Sequence, residues 1–84
     1  MPYLVYLKRS AEKELDRLPS DVHKRIVKRL ISLEDNPRPH RTKKLQGREG
    51  YRIRVGEYRI LYIINETKKK VEIVSIGHRK KVYR

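Results

Sequence analysis

The sequence predicts an α+β fold in the order βααβββ, a helical hairpin packed on an antiparallel sheet. Three observations lead there: a short apolar run near the start, two stretches with helical spacing, and three with alternating side chains. Residues 3–7, YLVYL, make the first strand and give way to Lys8 and Arg9. Ser10 is the expected N-cap of the first helix, with Glu12 and Glu14 in the turn where the helix dipole favours anions. Ala11, Leu15 and Leu18 fall on one face, at i, i+4 and i+7. Leu18-Pro19 stops this helix, and Ser20 with Asp21 caps the next. The second stripe is Val22, Ile26, Leu30 and Leu33, widened by Val27 and Ile31, and Asn36-Pro37 closes it.

Residues 38–50, RPHRTKKLQGREG, carry loop signals, with Leu45 as their only aliphatic side chain. Strand patterns follow at 51–55, 58–64 and 71–76. Gly56-Glu57 suits a two-residue type II′ turn with glycine at the first central position. Residues 65–70 make a longer, charged hairpin loop. No local pattern places the first strand within the sheet.

An 84-residue chain is expected to form one domain, 1–84, near the size where a single core still suffices. It has no Phe or Trp, so its six tyrosines and its Ile, Leu and Val positions must fill that core. Charged residues make up 39%, with 23 Lys+Arg against 10 Asp+Glu and a formal charge of +13. An ordinary soluble domain has roughly 25% charged residues. The imbalance points to a polyanionic partner: nucleic acid, anionic lipid or an acidic protein. The regular apolar segments argue against disorder. Absence of cysteine excludes a disulfide framework and a cysteine-based metal site. MPYLVYLKRS has no small-residue cleavage site, and no apolar segment approaches the roughly 20 residues of a membrane span. A cytoplasmic protein without membrane contact is therefore expected.

The most informative stretch is YRIRVGEYRILY, residues 51–62. A two-residue turn at 56 and 57 sets Val55 opposite Tyr58, Arg54 opposite Arg59, and Ile53 opposite Ile60. Alternation then gives the core Ile53, Val55, Tyr58, Ile60 and Tyr62, and leaves Arg52, Arg54, Arg59 and Leu61 on the other face. Like charges directly opposite cost the sheet a few tenths of a kcal/mol, order-of-magnitude. Side by side, two guanidiniums can clamp a phosphate through charge-assisted bonds. The plainer reading is a solvated strand face, since edge cations blunt aggregation. Context favours the phosphate: from Arg38 to Arg54 there are seven Lys/Arg and one Glu, and the tail from Gly77 onward has no acid. Arg41, Lys43, Lys44 and Arg48 in the loop, with Lys80 and Lys81 in the tail, are candidate RNA contacts.

His23, His40 and His78 show no metal-ligand spacing, and no carboxylate pair lies in the basic region, so no metal and no cofactor is expected. A two-metal nuclease needs clustered acids to hold its cations. RNA, however, brings its own nucleophile, a 2′-hydroxyl that can attack the adjacent phosphate. The protein then supplies orientation and positive charge. His78, Arg79 and Tyr83 are the candidate proton-handling groups. A lone histidine beside a strand end is more often structural, and a tail tyrosine more often packs.

Its first strand, the helical pair ending in NPRP, KLQG, YRIRVGEYRILY and VSIGHRKKVYR together resemble a RelE-type toxin of the RelE/ParE toxin–antitoxin superfamily. The resemblance spans nearly the full chain. It implies a RelE-like fold and a toxin that cleaves mRNA in the ribosomal A site by metal-independent 2′-hydroxyl attack, in contact with ribosomal RNA. It assigns charge stabilisation to Arg52, Arg54 and Arg59, leaving-group protonation or transition-state binding to Arg79, and base or stacking duty to Tyr83. The best-known family pattern has lysines where this chain has Arg52 and Arg54, and arginine keeps its proton far more firmly. A role needing a neutral amine is thereby disfavoured at those positions. The resemblance further implies a cognate RelB-like antitoxin, and operator DNA reached only through that antitoxin. Two alternatives stand beside the nuclease: a ParE-like inhibitor of DNA gyrase, and a non-catalytic basic nucleic-acid-binding module.

Overall fold

The computed structural model describes residues 2–78. In chain order the elements are β1 (Leu4–Leu7), α1 (Arg9–Asp16), α2 (Ser20–Ser32), β2 (Lys43–Lys44), β3 (Tyr51–Val55), β4 (Tyr58–Asn65) and β5 (Lys70–His78). The five strands form one sheet in the order β1-β5-β4-β3-β2. β1 runs parallel to β5, with Val5 opposite Val71, whereas the other neighbours are antiparallel. The antiparallel arrangement expected for the last three strands holds, and β1, whose place no local pattern gave, makes the sheet mixed. The two helices carry the chain from one sheet edge to the other, α1 packing on β5 and α2 on β3.

The N-caps are Lys8 and Pro19, two residues and one residue before the expected Ser10 and Ser20, and neither helix uses a side-chain cap. At α1, Lys8 extends the β1 ladder by donating its N–H to the Ile73 carbonyl at 2.9 Å, while its own carbonyl accepts from Glu12. The sheet fixes that residue, so Ser10 lies inside the helix. At α2, Pro19 has φ −56°, near its ring-imposed value, and its carbonyl accepts the His23 N–H at 2.8 Å. Ser20 and Asp21 consequently occupy the first turn, where Asp21 still suits the helix dipole.

One apolar cluster holds the layers together: Ala11 of α1, Val22, Ile26 and Leu30 of α2, Leu33, and the inward residues of β3, β4 and β5. Val27 is half-buried and Ile31 is 57% exposed, so Ile31 does not widen the stripe. Each helical residue turns about 100°, and Ile31 follows the buried Leu30 out of the interface.

In β5, Leu61 pairs with Ser75 but Tyr62 pairs with Ile73, so Val74 is an extra residue. This bulge resets the alternation, and Ile73 and Ile76 both reach the core. Beyond β1, the exposed edge of β5 is served by a helix: Glu14 of α1 accepts the Ile76 N–H at 2.8 Å and the Ser75 hydroxyl at 3.3 Å. Among the described residues, no helix is long and apolar enough to cross a membrane.

Candidate functional site

The β3–β4 hairpin has the register its two-residue turn dictates, with Arg54 opposite Arg59 and Ile53 opposite Ile60. Gly56 has φ +60° while Glu57 keeps a negative φ, the combination of a type II′ turn. Ile53, Val55, Ile60 and Tyr62 are buried on the helix side. Arg52, Arg54 and Arg59 stand on the other face with Leu61, which is only 2% exposed although it lies outside the core cluster. Arg54 is exposed, whereas Arg52 and Arg59 are half-buried and the Nε of Arg59 is fully covered.

A cleft of about 650 Å3 opens over these arginines, lined also by Arg41, Lys43 and His40. The short β2 makes this convergence, because Lys43 pairs with Arg52 and Lys44 with Tyr51. An adjoining hollow of about 500 Å3 adds Lys44 and Arg48, again beside Arg52 and Arg59. Thus all the loop cations expected from sequence, Arg41, Lys43, Lys44 and Arg48, flank the hairpin arginines. Among the described residues, no Asp or Glu lines the cleft.

Tyr62 fastens the loop that carries these cations. It lies in the core at 1% exposure, and its hydroxyl donates to the Pro37 carbonyl at 2.8 Å. The Thr42 hydroxyl, 2.8 Å away, must then donate to Tyr62, whose one proton is already committed. Burial pushes the Tyr62 hydroxyl above the ordinary tyrosine range, and the Thr42 hydrogen bond opposes that shift. Arg38, the first cation of the segment, is turned elsewhere. It forms an ion pair with Glu66 and donates from Nε to the Tyr51 hydroxyl at 3.2 Å. The Tyr3 hydroxyl, foremost, and Arg38 hold the Glu66 carboxyl below its usual range.

His78 is not brought to the arginine group. It lies directly opposite Tyr58, on the helix side, with the two rings edge to face at a centroid distance of 5.6 Å. Gly77 is opposite Arg59, so the described chain ends one residue beyond the arginines. Arg79, Lys80, Lys81 and Tyr83, expected at the site, lie outside the described residues. Among the described residues, no three His, Asp or Glu side chains converge as metal ligands.

Two contributors escaped the sequence reading. His40 was weighed only as a metal ligand, yet it lines the cleft. Arg25, Lys28 and Arg29 of α2 border a further hollow of about 490 Å3 that shares Arg41 and Arg54 with the cleft. Their i, i+3, i+4 spacing along one flank of the apolar stripe was the available signal. The whole surface can concentrate a polyanion and hold phosphate oxygens bidentately.

The family model for the ParE toxin of type II toxin–antitoxin systems, parDE, matches residues 5–83. Among solved structures, the chain is similar to the RelBE2 toxin–antitoxin complex of Mycobacterium tuberculosis, with 28% identity and a TM-score of 0.84 over 94% of this chain and 100% of that one. It is similar to the isolated Escherichia coli RelE toxin, with 30% identity and a TM-score of 0.80 over 96% of this chain and 90% of that one. It is also similar to the archaeal RelE–RelB complex of Pyrococcus horikoshii OT3, with 27% identity and a TM-score of 0.81 over 98% of this chain and 100% of that one. No curated protein matches the sequence.

Proposed function

This chain belongs to the ParE toxin family of type II toxin–antitoxin systems, within the RelE/ParE superfamily, and we propose that it is a ribosome-dependent mRNA endonuclease. The observation that carries this reading is the cleft in which Arg52, Arg54 and Arg59 meet Arg41 and Lys43 with no acid in the lining. In the proposed reaction the RNA 2′-oxygen attacks the adjacent phosphorus and the bond from phosphorus to the 5′-oxygen breaks. A 2′,3′-cyclic phosphate forms, the 2′-hydroxyl proton passes to a base, and the departing 5′-oxygen takes up a proton. Arg52, Arg54 and Arg59 hold the phosphate and stabilise the charge that gathers on its oxygens in the transition state. By the resemblance, the proton steps fall to Arg79 and Tyr83. Because His78 stands on the helix side of the sheet, its role is packing against Tyr58.

A cognate RelB-like antitoxin is the partner of this toxin, in keeping with the RelE–RelB complexes among the similar structures. The family model's ParE description favours a second reading, a gyrase inhibitor without nuclease activity. Mapping mRNA 5′ ends in a purified translation system separates the two. Codon-phased cuts that fall about 100-fold in Arg59→Ala, a loss on the scale of one transition-state donor, and also fall in Arg79→Ala, support the nuclease. Uncut mRNA together with gyrase-dependent DNA breaks overturns it.

A further inference from the structure

The hollow between α2 and the hairpin turn has no part in the chemistry above. Arg25 and Lys28 are exposed and Arg29 is half-buried, along one flank of the stripe formed by Val22, Ile26 and Leu30. With Ser32 they face Arg41 and Arg54 across the hollow. Arg41, Arg54 and Gly56 border both this hollow and the arginine cleft, so the two are continuous. Gly56 keeps the junction open: a Cβ there would sit 3.3 Å from an Arg25 guanidinium nitrogen.

The lining suits an extended polyanion better than a folded protein. Among the described residues, its one apolar side chain is Val55, which belongs to the core and is 9% exposed. A protein partner would need a buried apolar or aromatic anchor at such a place. A single-stranded nucleic acid needs only a basic groove that tracks its backbone. From Arg25 to Ser32 the helix advances about 10 Å at 1.5 Å per residue, room for more than one phosphate.

We propose that the α2 hollow is a single-stranded RNA track, in which Arg25, Lys28 and Arg29 hold the phosphates flanking the nucleotide gripped by Arg52, Arg54 and Arg59. This rests on the RNA reading of the cleft and extends it from one phosphate to a path.

The test measures binding of the full chain to 2′-O-methyl RNA, which cannot be cleaved, in lengths of about 4 and about 12 nucleotides. Lys28→Gln with Arg29→Gln is expected to weaken the longer RNA about tenfold and to leave the shorter one unchanged, with a salt slope shallower by about 1.4, or ~0.7 per lost phosphate contact. The charge-keeping pair Lys28→Arg with Arg29→Lys is expected to bind like the parent. Unchanged affinity for the longer RNA overturns the track, as does equal loss at both lengths. Loss of acidic-peptide capture with RNA binding intact also overturns it, because the hollow would then be a protein site. If ribosomal cleavage is absent but the length-dependent loss is observed, the nuclease reading fails and the track stands.

Discussion

At Tyr62 one hydroxyl joins folding to the candidate site. The ring is a core residue, stacked on Tyr51 with centroids 6.0 Å apart, and its oxygen holds both ends of the segment from Pro37 to Thr42. Removing the oxygen leaves the Pro37 carbonyl and the Thr42 hydroxyl without that partner, a cost of about 1–3 kcal/mol for a buried group. Tyr62→Phe is therefore expected to lower the denaturant midpoint and to loosen Arg41 and Lys43. The pH response has a defined sign. Because the folded protein keeps this proton to higher pH than the unfolded chain does, the contribution is intact below the ordinary tyrosine pKa. It is lost as pH rises through the folded value. The alkaline limb of a stability profile should be shallower in Tyr62→Phe, and an identical limb would refute this account. Sequence alternation placed Tyr62 on the core face, but its hydrogen bonds depend on a loop 20 to 25 residues away and leave no local trace.

Among the elements, the β3–β4 hairpin was the most legible, because a two-residue turn fixes every pairing between the strands. The edge strands were not. β2 has two residues, too few to show a period, and the parallel pairing of β1 with β5 is settled by where the helices lead the chain. The bulge at Val74 decides which face His78 takes. Unbroken alternation from Val71 and Ile73 would send residue 78 to the arginine face, and the extra residue turns it to the helix side. Glu14 closes the same region by accepting the Ile76 N–H. Glu14→Ala leaves that donor unmet and is expected to cost about 1–3 kcal/mol in chemical denaturation. Glu14→Gln keeps an acceptor oxygen and should cost less. Equal losses would show that the side chain's packing, not its oxygen, matters.

Over the whole molecule, a formal charge of +13 is compressed into a body whose described residues have a radius of gyration of 11.9 Å. Its longest extent, 33 Å, is close to the Debye length of about 30 Å at 0.01 M salt, so charges across the body feel one another in dilute buffer. The compact state gathers this repulsion, and screening should relieve it. Raising sodium chloride toward 1 M is expected to lift the thermal midpoint by about 4–8 °C, the equivalent of roughly 1 kcal/mol. Phosphate at equal ionic strength should lift it further by occupying the arginine cleft. A midpoint insensitive to salt would contradict both statements. Composition alone pointed toward a polyanionic partner for such a chain. The division of labour between faces, with apolar residues under the helices and arginines on the other side, was legible in the hairpin's alternation. The path along α2 was not, since it depends on how far a helix stands from a turn.

Val74 has a consequence for how such a protein can change over evolutionary time. Substitutions along β5 alter one side chain each, and an indel in a regular part of the strand turns over everything that follows, but the bulge is different. Losing that residue would make Ile73 and Ser75 successive rungs of a regular ladder, and Gly77 and His78 would keep the faces they have now. The bulge is thus the one point along the β4–β5 ladder where a single-codon deletion can be absorbed, with the face of every later described residue unchanged.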